Sequence, residues 1–182
     1  MPRRANRARG IALKGAGTAV LLLSFVAQSL FVEDWSGRAM AMRDQFNASS
    51  ELEHAWDTAL HAWQQNPNDP DADFEMRKAG GALVIHDHFL CSAYKEECGF
   101  SDSFDYQAGR ALVGGQATAA EMTQRVGKHV ADFRLRKQQV YERAVELDRA
   151  SKRSQRAEFL AYLFGTIVLI AGLYFEWKGV DE

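Results

Sequence analysis

Proline and cysteine are scarce in this chain. It has three prolines in 182 residues, and two of them, Pro67 and Pro70, sit close together. With so few breakers, long helices meet little obstacle. The two cysteines, Cys91 and Cys98, are too few for a disulfide-dense scaffold and enough for one bridge. No segment sustains a period-two alternation of apolar and polar residues, so no sheet is expected. An excess of either charge is also missing: 22 Lys and Arg stand against 24 Asp and Glu, a formal net charge of −2. A phosphate-binding face needs clustered basic charge, so nucleic acid is not an expected partner. There is no Gly-x-Ser-x-Gly, no phosphate loop and no dinucleotide fingerprint, and Gly80-Gly81 and Gly114-Gly115 are neither. The expectation is a protein without enzymatic activity or cofactor.

Two uncharged runs stand out against this background. Residues 1–14 carry Arg3, Arg4, Arg7, Arg9 and Lys14 and no acid, and Gly15 to Val32 then follows with 18 residues free of charge. Ala27-Gln28-Ser29 offers a small-x-small cleavage site, so a removed signal peptide is one reading. The run continues through Leu30, Phe31 and Val32 and is long enough to span, which favours a retained signal anchor. Phe159 to Phe175 is a second uncharged run, of 17 residues, with Tyr162, Tyr174 and Trp177 placed as interfacial aromatics. The expected organisation is a basic cytoplasmic N-terminus (1–14), a first span (15–32), an extracytoplasmic helical bundle (33–157), a second span (158–175) and a short cytoplasmic tail (176–182).

The charges flanking the spans give divided instructions. The basic N-terminus predicts an N-in, C-in chain in a bacterial inner membrane. Taken alone, the second span prefers the opposite orientation, because Arg143, Arg149, Lys152, Arg153 and Arg156 precede it and only Lys178 follows. In the N-in arrangement the cluster Arg149, Lys152, Arg153 and Arg156 lies at headgroup level, where membrane lipids or a partner's acidic patch would meet it.

Between the runs the pattern is helical. Trp35, Ala39, Met42, Phe46, Ser49, Glu53, Trp56, Leu60 and Trp63 alternate four and three apart, a heptad seam with polar members at Ser49 and Glu53. A bend is expected near 47–50, with Ser50 and Glu53 as a new capping box. His54-Ala-Trp56 recurs as His61-Ala-Trp63, which is register and not a domain repeat. Asn66-Pro-Asn-Asp-Pro70 ends that helix, and Asp69 with Pro70 starts the next, which runs to about Glu97 with Phe74, Leu83, Ile85, Phe89 and Leu90 as its core. Gly80-Gly81 predicts a kink or a close approach. Residues 99–117 are irregular, with a short helix over 104–113. Thr118 and Glu121 form a capping box for a final helix reaching Trp177, whose seam is Val126, Val130, Phe133, Lys137, Val140, Ala144 and Leu147. The fold class is all-α: two membrane helices flanking an antiparallel, four-helix-bundle-like domain.

Few residues invite chemistry. A Cys91–Cys98 disulfide is expected for an exported domain; it requires the helix to end near Glu96, as Gly99 suggests, since a continuous helix holds the two about 10 Å apart. His88, Cys91 and Cys98 are the nearest thing to a metal set, with His88 and Cys91 three apart on one face; the favoured reading is polar residues on a partly exposed helix, with no metal. Asp69, Asp71 and Asp73 resemble the start of a calcium loop, but its Gly and Glu positions hold Phe74 and Gly80, and capping accounts for the acids. Asn47-Ala-Ser49 is a formal glycosylation acceptor. Trp35, Trp56 and Trp63 line one stripe, to be read as core or as an aromatic pocket or partner surface between helices.

In architecture, residues 11–175 are similar to the periplasmic sensing bundles of bacterial chemoreceptors and sensor kinases: basic N-terminus, span, helical bundle, span. Those proteins continue into a large cytoplasmic signalling region, whereas seven residues follow Phe175 here. The expected function is a membrane accessory or scaffold subunit whose bundle binds another membrane or extracytoplasmic protein, or a second copy of itself. A ligand-sensing bundle signalling through a partner, and a metal or redox site at His88, Cys91 and Cys98, are the alternatives.

Overall fold

The computed structural model describes residues 2–98 and 118–181, and every element among them is helical. Helix α1 (Pro2–Ala27) passes through a π-helical stretch (Gln28–Val32) into α2 (Glu33–Gln65). A turn at 66–69 leads to α3 (Pro70–Cys98), and α4 (Ala119–Asp181) follows as one helix of 63 residues. The short helix expected over 104–113 lies outside the described residues.

The predicted helix starts are present as hydrogen bonds. The Asp69 carboxylate accepts from the Asp71 N–H at 3.0 Å, and Pro70 occupies the first helical position. At α4, the Thr118 N–H donates to the Glu121 carboxylate at 2.9 Å and the Glu121 N–H donates back to the Thr118 hydroxyl at 3.3 Å. The bend expected near 47–50 is absent: α2 runs unbroken from Glu33 to Gln65. Ser49 and Ser50 cap nothing and instead donate to the carbonyls of Gln45 and Phe46, one turn back.

The chain divides into two compact units, residues 1–38 with 146–182, and residues 39–145. In the second unit, α2, α3 and the first part of α4 share one core. The α2 and α4 seams face inward as predicted: Ala39, Met42, Ser49 and Trp56 are buried on one, and Val126, Val130, Phe133, Val140 and Ala144 on the other. Ser49 meets His86 and the Trp56 ring meets Gly80, so α2 and α3 are antiparallel. Met76 meets Thr123 and Asp87 meets Arg136, so α3 and α4 run parallel. Trp56 therefore packs beside Gly80 and Met122, near the start of α4.

On α3 the core differs from expectation. Leu83 and Leu90 are buried, but Phe74 is 62% exposed, Ile85 49% and Phe89 46%. The inward positions include Met76, Gly80, Leu83, Asp87 and Leu90, which alternate four and three apart, with Gly81, Val84 and Cys91 buried beside them. Gly80 is the close approach that Gly80-Gly81 foretold: a Cβ there would stand 2.7 Å from the Trp56 ring and 2.9 Å from the Met122 methyl. The kink comes later, at Tyr94, whose backbone (φ −120°, ψ 15°) leaves the helical region.

In the first unit, α1 and the last part of α4 pair closely and antiparallel through small residues. A Cβ on Gly17 would meet the Gly165 carbonyl and the Leu169 nitrogen at 2.8 Å, and one on Gly10 would meet the Gly172 carbonyl at 2.9 Å. Gly10, Gly17 and Ser24 are seven apart and all buried, as are Gly165 and Gly172. The next buried position on the first helix is Val32, eight residues after Ser24. The π-helical stretch absorbs that extra residue, with the Glu33 N–H bonding back to Gln28, and the Ser151 hydroxyl donates to the Val32 carbonyl at 3.4 Å. Lys14 and Glu176 close the other end at 2.6 Å.

These contacts make glycine substitutions position-specific. Gly80→Ala is expected to lower stability by about 1–2 kcal/mol, because the forced shift of Trp56 outweighs the helix-propensity gain. Gly127→Ala, with nothing near its Cβ, should raise stability by about 0.5–1 kcal/mol. Denaturant unfolding of the full chain, followed by tryptophan fluorescence, reads both. In the other unit, Gly17→Ile should lower the melting temperature of the detergent-solubilised chain while Gly15→Ile, a site with open space, leaves it nearly unchanged; equal effects would dissolve the small-residue seam.

Candidate functional site

Each helix of the second unit contributes polar groups to a layer across its core. The α2 and α4 seams each predicted polar members, and the structure brings them together. The Lys137 ammonium donates to the Glu53 carboxylate at 2.5 Å, and Arg134 donates to its other oxygen. Lys137 also lies over the Phe46 ring, 5.4 Å from its centroid, and Phe46 packs on Tyr141 at 4.7 Å. Burial pushes the Glu53 carboxyl up, and the two cations outweigh it, leaving it below the ordinary carboxylate value.

Asp87 and Arg136 form the second part. The carboxylate is fully buried, and the guanidinium grips it in a two-pronged fork, with Nε donating to Oδ1 at 2.7 Å and Nη2 donating to Oδ2. Burial pulls the guanidinium down, and Asp87 more than reverses this, holding it above its ordinary value. Neither residue was singled out from the sequence. The signal was the position of Asp87 in the alternating α3 seam, where a carboxylate demands a cation from a neighbour.

The third part is Ser49 with His86. Ser49 Oγ donates to the Gln45 carbonyl at 2.7 Å and stands 2.9 Å from His86 Nε2. The Gln45 carbonyl is thus a shared acceptor for the Ser49 hydroxyl and the His86 ring. The ring stacks on Phe89 at 6.0 Å and meets the edge of Phe133 at 6.3 Å.

The predicted site residues fare differently. Cys91 and Cys98 are thiols and not the expected disulfide. The helix does not end near Glu96 but kinks at Tyr94 and continues to Cys98, leaving Cys91 inside the core and Cys98 half-buried past the kink. Burial pushes the Cys98 thiol up, against the pull of Arg143, which works against a reactive thiolate. His88 is half-buried on α3, and no three His, Cys, Asp or Glu side chains converge on a metal position among the described residues. Trp35 is half-buried beside Phe31 in the first unit, Trp56 fills the core of the second, and Trp63 is half-buried near the end of α2, so the stripe is not gathered into one pocket.

Arg149, Lys152, Arg153 and Arg156 are all exposed on α4. Lys152 and Arg156, with Gln155, Phe159 and Leu160, line an open groove in the first unit, where the charged stretch gives way to the apolar one. Lys152 is paired with Asp148 at 2.7 Å.

The polar layer implies a pH response. The His86 imidazole sits below its ordinary value of 6.5, first through burial, with the Gln45 carbonyl and Asp87 charge opposing. Above that pH the histidine is neutral in both folded and unfolded chains. Below it the unfolded chain binds the proton more readily, so stability falls as pH drops from about 6.5 towards the folded value. His86→Gln should shrink the difference between unfolding midpoints measured at about pH 7.5 and about pH 5.5; an unchanged difference would assign the response elsewhere. Comparison with known protein families, with curated proteins and with solved structures finds no match to this chain.

Proposed function

We propose that the chain is a two-span membrane protein whose helical bundle docks another membrane or extracytoplasmic protein, as an accessory or scaffold subunit. The membrane reading rests on which way the apolar side chains point. Both long helical rods contain a stretch long and apolar enough to cross a membrane. In those stretches Leu22, Leu23, Phe25, Phe159, Leu160, Phe164 and Ile167 are each more than 60% exposed. The core helix of a water-soluble protein would bury them; a bilayer leaves them outward at no cost. Lys14 and Glu176 pair at one end of this hairpin, in keeping with both termini on one side.

One observation carries the docking role: the exposed face of α3. Phe74, Ile85 and Phe89 fall within a narrow arc of the helix and lie along about 22 Å of it, all outside the core. Aromatic and branched side chains in such a row are the anchors an interface uses. The polar layer of the same unit, with its Asp87–Arg136 and Glu53–Lys137 ion pairs and the Ser49–His86 contact, holds the face at a fixed register. The raised Cys98 thiol and the absence of a convergent ligand set among the described residues weigh against a metal or redox role.

Two measurements test this. A reporter inserted after Asn68, in the exposed turn between α2 and α3, is expected to read as extracytoplasmic, and one at the C-terminus as cytoplasmic. The affinity of a partner that co-purifies with the chain from native membranes should fall by roughly thirtyfold or more when Ile85 and Phe89 are both changed to Asp, since two anchors of roughly 1–2 kcal/mol each are removed. Retention of the partner by that variant, with its helix content unchanged, would move the interface off α3.

A further inference from the structure

We infer that the groove lined by Lys152, Gln155, Arg156, Phe159 and Leu160 on α4 seats one anionic phospholipid, with its phosphate between Lys152 and Arg156 and its acyl chain along Phe159 and Leu160. The inference rests on the membrane reading of the first unit and adds to it a specific ligand.

The spacing matches the molecule. Lys152 and Arg156 are four apart and share a helix face, as do Phe159 and Leu160 one turn further on. Cations lie on one side of the groove and apolar groups immediately on the other. Phe159 is 63% exposed and Leu160 65%, so nothing in the first unit covers the apolar end. Gln155 adds an uncharged donor between the two cations. A lipid headgroup above its first methylenes has this order of charge, polarity and hydrocarbon. An acidic protein patch would answer the cations and leave Phe159 and Leu160 in water.

The register of the helix pair gives an independent argument. Gly17 lies against Gly165, and Val32 against Ser151. That alignment sets Leu30 and Phe31 of the first helix level with residues 152–154 of α4. Leu30 is 62% exposed and Phe31 52%. The cations of α4 therefore stand where the neighbouring helix passes from Glu33 and Asp34, through Leu30 and Phe31, into its apolar run. At that boundary an anionic headgroup attracts a cation. Asp148 reaches Lys152, one turn back toward the polar side, while Arg156 lies a further turn toward the apolar run with no carboxylate partner among the described residues. A phosphate diester supplies that charge and arrives with the hydrocarbon the rest of the groove accepts.

The test uses the full chain in phosphatidylcholine vesicles carrying a trace of spin-labelled phosphatidylglycerol or spin-labelled phosphatidylcholine. The motionally restricted fraction gives the relative association of the two lipids with the protein. The wild-type chain should prefer phosphatidylglycerol. Lys152→Gln with Arg156→Gln should reduce that preference by up to about thirtyfold, given roughly 1 kcal/mol per cation near the surface. Arg149→Gln with Arg153→Gln removes the same charge outside the groove and should reduce it clearly less, because neither side chain lines the groove. Equal losses in both variants would reduce the cluster to diffuse attraction and overturn the site. A wild-type chain that floats with the vesicles yet shows no preference would also overturn it and assign the cations to an acidic protein surface. A chain that does not float with the vesicles overturns the membrane reading itself, and flotation separates that failure from the others.

Discussion

A carboxylate with no access to water has to be answered by a cation, and in this protein Asp87 and Arg136 are that pair. Breaking a buried pair by removing one partner costs about 3–5 kcal/mol, because the survivor is left charged in a dry site. The geometry of the fork makes the constraint positional as well. A slip of α3 along α4 by even one residue separates both hydrogen bonds at once. Apolar seams alone do not supply such discrimination. On α2, His54-Ala-Trp56 is followed one heptad later by His61-Ala-Trp63, so a shift of seven residues would present nearly the same face. Ser49 with His86, and Glu53 with Lys137 and Arg134, remove that degeneracy between α2 and its two neighbours. The parallel alignment of α3 and α4, and the place of Trp56 beside Gly80 and Met122, follow from these anchors.

The periodic parts of this arrangement were legible in the chain. The α2 and α4 seams, the caps at Asp69 and Thr118, and the near-limits of α3 and α4 all follow from spacing and capping chemistry. What single-helix reading misjudged was the meaning of polar residues in a seam. Ser49 and Glu53 looked like weak points where α2 would bend, because their partners sit on other helices and leave no local trace. The same blindness hid the α3 core. Met76, Gly80, Leu83, Asp87 and Leu90 keep a strict four-three alternation, but a glycine and an aspartate occupy two of the five places. Counting hydrophobicity instead of spacing favoured Phe74, Ile85 and Phe89, which face outward. Gly80 belongs in the seam because Trp56 needs the room, and Asp87 belongs there because Arg136 reaches it.

The first unit follows the same arithmetic with different residues. Gly10, Gly17 and Ser24 recur every seventh position on one helix, with Gly165 and Gly172 opposite. The spacing was visible, but small residues carry little weight in a search for apolar faces. The one irregularity in that helix was visible too: eight residues, not seven, separate Ser24 from Val32. An α-helix cannot keep both on one face without inserting a residue, and a π-helical turn is the least disruptive way to do so. The helix distortion therefore falls at Gln28–Val32, where the register changes, and not at 47–50, where only polarity changes.

The composition of the two seams also bears on the medium each unit meets. In the second unit the inward residues are large: Trp56, Phe133, Met42, Met76, Met122 and Leu90. Removing such side chains from water at about 25 cal/mol per Å² is what holds a bundle together in aqueous surroundings. A seam of glycine and serine removes very little apolar surface, and in the first unit the large apolar side chains point away from it. In water that pair would gain almost nothing by associating and would leave Leu22, Leu23, Phe25, Phe164 and Ile167 exposed. In hydrocarbon the balance inverts, since outward apolar groups cost nothing and close backbone packing through small residues supplies the attraction. The same heptad rule thus builds two seams of different composition, and the change from small to large inward residues along these helices is the physical argument behind the proposal of two membrane spans.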